Sequence, residues 1–263
     1  MLSHGPLGFQ EDIIDADIIE GMTAFMDRIG VPWNKIKMVP FTRDLTQEKI
    51  STDQELIAIG SYDFTYKAIE LGWKPGVWVN ENYDYRVWSR MGWKILNPGD
   101  VMAFGDVPFQ EKPFFIRPCM DNKIFTGQVA DWGVYSGWLE KITSGERDTT
   151  VWDVTVDSPV LIAKPRKIGQ EYRFLVVDGK AVTGSMYRDG AYRGQKNVDD
   201  QAELFAFVND MADGWSPSPV YIMDVAIADG EMYVIEMGNF NAAGLYKMDL
   251  QKIVMAVEDL LSK

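Results

Sequence analysis

Apolar positions along this chain recur with two periods, one helical and one of strand type, and the order of the two changes along its length. DADIIEGMTAFMDRIG (residues 15–30) carries apolar residues at helical spacing and predicts a helix ending at Gly30. ELIAIGS (55–61) is an apolar run of strand length entering a tight turn. YDFTYKAIELGW then predicts a helix, GVWVN a strand, and ENYDYRVWSRMGW an amphipathic helix over the sheet. A strand, a helix and a strand in succession make a βαβ unit, which implies a parallel sheet.

The second half reads differently. LNPGD (96–100) is a turn and PFQEKP (108–113) a linker, followed by FFIRP (114–118) as a strand stopped by proline. SGWLEKITSG predicts a helix and SPVLIAKP a strand. Residues 170–188 and 221–241 each hold two apolar runs about an Asp-Gly step, which predicts two β-hairpins. Helical patterns lie between and after them, in DDQAELFAFVNDMADGW and DLQKIVMAVEDLLSK. Antiparallel hairpins with helices on one side are an α+β arrangement. The expected division is an N-terminal α/β domain over 1–107 and a two-lobed domain over 108–263. Its small lobe would cover about 108–158 and its large lobe about 159–263.

Composition narrows the chemistry. With 263 residues, 46% of them hydrophobic and 25% charged, the chain is long enough for one large or two smaller folded domains. No apolar run reaches membrane-spanning length and the first residues lack a basic, apolar leader pattern, so the expected location is cytoplasmic, without a membrane partner. The net charge of −13 disfavours a nucleic-acid partner. The chain has one cysteine, Cys119, and one histidine, His4. Those counts exclude an intrachain disulfide, a thiolate zinc cluster, and Ser-His-Asp or Cys-His catalysis. What remains is carboxylates, Lys, Arg, amides and a hard metal ion.

Against that background the second hairpin is odd. Asp224 interrupts its first apolar run and Glu236 ends its second, although strand interiors disfavour Asp and buried carboxylates need partners. A divalent cation removes the repulsion between two such acids, and Mg²⁺ takes oxygen ligands. Register sets a condition. A two-residue Asp229-Gly230 loop pairs Ala228 with Glu231 and puts Asp224 and Glu236 on opposite faces; a three- or five-residue loop pairs them directly. A shared metal therefore predicts an odd-length loop, with a bulge or a wider turn.

Three pieces in this order, FIRPCMDNKIFTGQV, VLIAKPRKIGQEYRFLVV and YIMDVAIADGEMYVIEMGNFN, resemble the ATP-grasp ligases over residues 114–246, about half the chain. The similarity is greatest to a phage- and bacteria-associated clade with arginine in place of a usual lysine. LIAIGSYDFTYKAIELGWKPGVW resembles the pre-ATP-grasp domain of that clade. The resemblance implies ATP and Mg²⁺ as cofactors. Arg117 takes the lysine position and Lys123 lies in the phosphate loop, where Gly127 gives flexibility. Ile162 and Ala163 match the hinge at the adenine edge, Lys164 either reaches phosphate or stands in solvent, and Glu171 matches the ribose acid. Arg173 faces the nucleotide cleft. Asp224 and Glu236 match the metal acids. Gly238 stands where the family has an amide, so Asn239 or Asn241 would complete the metal set.

The implied activity is ATP-dependent carboxylate–amine (or thiol) ligation through an acylphosphate, with two small-molecule or peptide substrates. Such chemistry rests on positioning and charge neutralisation. Arg117, Lys123 and Arg173 would hold the phosphates and the transferring group, and Arg188 the carboxylate or acylphosphate, with Arg193 a weaker candidate. The alternative is an ATP-binding module without turnover. Covalent nucleotidyl transfer fits worse, because VVDGK has Val176 where that chemistry needs lysine.

Overall fold

In the computed structural model, residues 7–11, 13–40, 42–46, 55–121, 124–146 and 153–263 are described. The chain begins with β1 (Leu7–Gln10), α1 (Ala16–Ile29), β2 (Trp33–Ile36), β3 (Glu55–Ile59), α2 (Tyr62–Glu70) and β4 (Lys74–Gly76). Next come α3 (Tyr85–Trp88), β5 (Gly99–Ala103), β6 (Phe114–Pro118), β7 (Gln128–Ala130), α4 (Trp132–Ser144) and β8 (Pro159–Ala163). The last stretch holds β9 (Gln170–Val177), β10 (Lys180–Asp189), β11 (Lys196–Asn197), α5 (Ala202–Gly214), β12 (Val220–Ala228), β13 (Glu231–Asn239) and α6 (Leu250–Leu261). This is a mixed α/β fold. No helix among the described residues is long and apolar enough to cross a membrane.

Two compact units form. One comprises Met1–Asn80, Gln170–Val225 and Glu236–Lys263; the other comprises Glu81–Gly169 and Ala226–Ile235. The division therefore differs from the expected break near residue 107, and its physical reason is a shared core. Leu7 and Phe9 of β1, Met22 and Met26 of α1, Leu175 and Val177 of β9, and Ile253 and Val257 of α6 bury their side chains in one cluster. Strand β8, expected in the large lobe, pairs with β5 and β6 in the second unit.

The first unit holds a parallel sheet in the order β2-β1-β3-β4, as the βαβ pattern implies. Helix α1 starts where the Asp15 side chain accepts from the Asp17 N–H and stops at Gly30 in the left-handed conformation. Ser61 caps α2 by accepting from the Phe64 N–H. The strand expected at GVWVN is shifted to Lys74–Gly76. The Trp78 N–H donates to Asn241 Oδ1 instead of to a neighbouring strand, so the chain leaves the sheet there.

The five-stranded sheet runs β11-β10-β9-β12-β13. Alternation on β9 sends Tyr172, Phe174 and Val176 to one face, where the Phe174 ring meets Phe205 of α5 edge-on at 5.3 Å. The other face carries Glu171, Arg173, Leu175 and Val177. Asp178 and Gly179 both have positive φ, as a two-residue hairpin turn of right-handed twist demands.

The second unit contains a sheet in the order β5-β8-β6-β7, with α4 packed through Tyr135 and Trp138 onto its apolar face. The helix expected over ENYDYRVWSRMGW is only a turn and α3. The Asp84 side chain accepts from the Arg86 N–H and restarts the helix inside that stretch. Buried Trp88 and Trp93 then pack 6.2 Å apart.

Candidate functional site

The polar end of the β9 face gathers Arg173, Asp224, Glu171 and Arg188. Arg173 and Asp224 meet in a two-pronged ion pair, Nε to Oδ1 at 2.8 Å and Nη2 to Oδ2 at 2.8 Å. The pair is largely dry, with 14% of the Arg173 side chain and 3% of Asp224 exposed. A planar guanidinium matched to a carboxylate is the geometry that survives such burial. Arg173 Nη1 also donates to the Gly244 carbonyl at 3.2 Å. Tyr187 and Tyr246 stack on each other at 5.2 Å, and the Arg173 guanidinium lies 5.7 and 5.1 Å from their ring centres. Burial works against its charge, but the Asp224 carboxylate outweighs that and holds Arg173 above the ordinary arginine range.

Glu171 lies directly opposite Arg188 on β10 and accepts from its Nη1 at 2.9 Å. Its second oxygen accepts from the Tyr187 hydroxyl at 3.0 Å. A register shift between Met186 and Arg188 makes room for Tyr187 as an extra residue, which turns it to the face of Glu171. Burial first, then the charges of Asp224 and Glu171, push the Tyr187 hydroxyl well above the usual tyrosine range, so it stays a neutral donor. Both oxygens of the expected ribose acid are thus engaged by side chains of its own sheet.

The hairpin of Asp224 and Glu236 closes with a two-residue turn, Asp229 at φ 53° and Gly230 at φ 80°. The odd-length loop expected from a shared metal does not form. Alternation along β13 breaks instead: Val234 and Met237 are buried with two half-buried residues between them. A spacing of three is what one extra residue in a strand leaves. The Asn239 side chain accepts from the Ala242 N–H and caps a short turn.

Asn241 is committed elsewhere. Its oxygen accepts from the Trp78 N–H at 2.8 Å, and its amide donates to the Ala58 and Gly76 carbonyls at 2.7 and 3.3 Å. It is fully buried and ties the loop after β13 to the parallel sheet. The expectation that it binds metal is corrected on that ground.

The second unit holds the remaining expected residues. Arg117, on β6, donates from Nη1 to the Ile235 carbonyl at 3.0 Å and from Nε to the Pro118 carbonyl at 3.2 Å. Gly127 serves close approach and not flexibility, since a Cβ there would stand 3.0 Å from Arg117 Cβ and 3.1 Å from the Phe115 ring. Ile162 and Ala163 are buried in a strand paired on both sides, with β5 and with β6. Their backbone edges therefore face neighbouring strands, which corrects the expected adenine hinge. Lys164 follows at the strand end, exposed. Lys123 lies outside the described residues.

Among the described residues no three His, Cys, Asp or Glu stand together as a metal site built from protein alone. Mg²⁺ needs fewer, because it takes one or two carboxylates and draws its other ligands from phosphates and water. Two carboxylates such as Asp224 and Glu236 meet that number. A carboxylate offers about four lone-pair sites, and Arg173 takes one on each Asp224 oxygen.

Tyr187, Tyr246 and the Gly244 carbonyl were not singled out from the sequence. Tyr246 carries a signal visible only in the backbone, a φ of 51°, costly for a tyrosine and often found at functional sites. In the sequence, the aromatic closing AAGLY was the nearest hint.

The fold is shared with solved ligases. An ATP-grasp RimK domain protein from Sphaerobacter thermophilus superposes with a TM-score of 0.62 at 12% identity, covering 98% of this chain and 100% of that one. D-alanine–D-alanine ligase from Bacillus anthracis, complexed with ATP, gives 0.58 at 16% identity, covering 98% and 94%. The ATP-grasp ligase PsnB with its minimal precursor gives 0.55 at 10% identity, covering 97% and 98%. No curated protein matches the sequence. A family model for an ATP-grasp domain, family 3 of its clade, matches residues 33–257. With most of its length accounted for by that match, the chain belongs to this ATP-grasp domain family.

Proposed function

We propose that the protein is an ATP- and Mg²⁺-dependent ligase that joins a carboxylate to an amine (or thiol). The observation that carries this reading is the grouping of two ion pairs with buried carboxylates, Arg173 with Asp224 and Arg188 with Glu171, in a chain of the ATP-grasp family. A carboxylate oxygen of the substrate attacks the γ-phosphorus of ATP, the bond to the β,γ-bridging oxygen breaks, and ADP leaves. The amine nitrogen then attacks the acyl carbon of the acylphosphate. The carbon–oxygen bond to phosphate breaks, inorganic phosphate leaves, and the nitrogen loses a proton.

The residues act by placement and charge. Arg173 is held rigid by Asp224 and two rings, and meets the negative charge that builds on the transferring phosphoryl group. Arg188, oriented by Glu171, holds the substrate carboxylate. Arg117, Lys123 and Lys164 bind the ATP phosphates. Asp224 and Glu236 would hold Mg²⁺, with Asn239 limited by its capping bond; the ion neutralises phosphate charge.

The test is incubation with Mg-ATP and pooled amino acids, polyamines and peptides, with nucleotide products separated. ADP and phosphate formation that disappears in Glu236→Ala and Arg173→Ala is expected. AMP formation would overturn the acylphosphate route. Asp224 sits already neutralised by Arg173, which favours one alternative: ATP binding without turnover. In that case ATP raises the melting temperature and no acceptor triggers hydrolysis.

A further inference from the structure

Strand β5 is the outer strand of its four-stranded sheet and pairs on one side only, with β8. The register fixes which backbone groups that leaves open. Just past the strand, the Phe104 N–H donates to the Ser158 carbonyl, so that pair is a bonded one. The Pro159 carbonyl, opposite Ala103, accepts from the Cys119 N–H on the β6 side and is turned away from β5. Bonded and unbonded pairs alternate in an antiparallel ladder, so Gly99, Val101 and Ala103 direct their N–H and C=O groups outward. Val101 is 40% exposed, and among the described residues no strand pairs with that side of it.

A cavity of about 390 Å³ opens at this edge, wholly within the second unit. That volume falls within the range of ligand sites. Val101 lines it together with Arg86, Ser89 and Arg90, from α3 and the residues just after it. The two arginines differ in what they can still bind. Arg86 is held by Asp84 through two contacts, Nε to Oδ1 at 2.9 Å and Nη2 to Oδ2 at 2.6 Å. Arg90 is exposed and has no carboxylate partner among the described residues. Asp100 also lines the cavity, and its charge repels a second acid. One cation is thus left for one carboxylate, which suits neither a polyphosphate nor a run of acidic residues.

We infer that this edge docks the carboxyl-terminal segment of a polypeptide, which adds to the sheet as a short strand beside β5 and sets its terminal carboxylate on Arg90. An extended peptide carries N–H and C=O groups at the spacing of those on Val101, and its end carries a single carboxylate. Main-chain pairing supplies affinity without demanding a particular sequence, so recognition rests on the free end. The site stands apart from the ligase reading, because none of the residues assigned there to ATP or Mg²⁺ lines the cavity.

The experiment is fluorescence polarisation with the full chain and a short peptide of alternating threonine and valine ending in alanine, labelled at its amino end. It is made with a free carboxyl end, with a carboxamide end, and with alternate amides N-methylated. The free acid is expected to bind about tenfold tighter than the carboxamide, and N-methylation to cost the acid about tenfold. Arg90→Ala is expected to bring the acid down to the level of the carboxamide and leave the carboxamide unchanged. Val101→Pro removes one outward N–H from an edge strand, a position where proline is tolerated, and is expected to weaken both forms about tenfold. Should that variant fail to fold, the N-methylated peptide tests the same pairing from the ligand's side. No binding of either form, equal binding of acid and carboxamide, or full binding of the N-methylated peptide overturns the inference. Displacement of the peptide by acetate or free alanine at the concentration of the unlabelled peptide also overturns it, since a bare carboxylate would then suffice. So does absence of peptide binding with a dimer in sedimentation that Arg90→Ala dissociates, because a second copy would then cover the edge.

Discussion

The sheet face that carries Leu175 and Arg173 has two ends, made by the same strands. At one end Leu175, Val177, Val220 and Ile222 meet α1 and α6 in an apolar cluster. Two residues further along β9 and β12, the same alternation delivers Arg173 and Asp224. Leucine at one end and arginine at the other occupy equivalent places in a strand. What differs is how the desolvation of each is offset. Leu175 gains from leaving water, by about 2 kcal/mol. Arg173 loses its hydration and needs a fork of hydrogen bonds, an opposite charge and two ring faces to stay there. A fold that spends packing at one end and charge pairing at the other has reserved the second end for chemistry.

The largest expected effect is a break of that pairing. Asp224→Ala leaves a buried guanidinium with no counter-charge, at a cost of about 3–5 kcal/mol in denaturant unfolding, together with loss of ATP-driven turnover. The double variant Asp224→Leu/Arg173→Met removes both charges and is expected to recover most of the stability and none of the turnover. If the double variant is as unstable as the single one, the pair is a packing device and the contrast between the two ends fails.

The apolar end gives the converse. Leu175→Ala is expected to cost about 2–4 kcal/mol by cavity formation, with KM for ATP unchanged in whatever fraction remains folded. A rise in KM there would mean that the two ends are not separable.

Much of this contrast was readable in the sequence, and the remainder was not for physical reasons. Periodicity located α1, α2, α4, α5, α6 and both Asp-Gly hairpins, because each element buries a continuous stripe. It placed FFIRP as β6 residue for residue, since Pro118 ends the run. It did not reveal that β1, α1 and β3 share a core with α6, because a core built from distant segments leaves no local period. Position in a motif suggested Glu171 for a ribose, yet its cross-strand partner Arg188 and the bulged Tyr187 decide what it touches, and pairing is set by register. The two-residue turn at Asp229 argued against Asp224 and Glu236 sharing a face. Burial along β13 breaks between Val234 and Met237, a local feature that the period of the sequence does not carry.

Asn241 tests a polar group within the apolar neighbourhood. Asn241→Ala strands the Trp78 N–H and the Ala58 and Gly76 carbonyls, with an expected loss of about 2–3 kcal/mol. The melting-temperature shift caused by Mg-ATP should match that of the unmodified protein. A selective loss of Mg²⁺ dependence would return Asn241 to the metal site.

The smallest effect comes from a charge that borders the apolar end without entering it. Asp199 accepts from the Thr183 hydroxyl at 2.8 Å and the Gly184 N–H at 3.0 Å, while Lys252 of α6 donates to its other oxygen at 2.7 Å. Thr183 sits opposite Leu175, so this network pins the edge of the apolar cluster to the start of α6. Burial of Asp199 opposes its charge, but these donors outweigh it and hold the carboxyl below the ordinary aspartate range. A carboxyl depressed in the folded state contributes stability above its unfolded pKa and loses it as the pH falls through the folded value. Asp199→Asn is therefore expected to cost about 1–2 kcal/mol at pH 7, a gap that narrows below about pH 4 as the aspartate takes up its proton. Urea unfolding at stepped pH measures it. A gap independent of pH would mean that the hydrogen-bond geometry of Asp199, and not its charge, secures this edge. The polar end would then be the only part of the face stabilised by ion pairing.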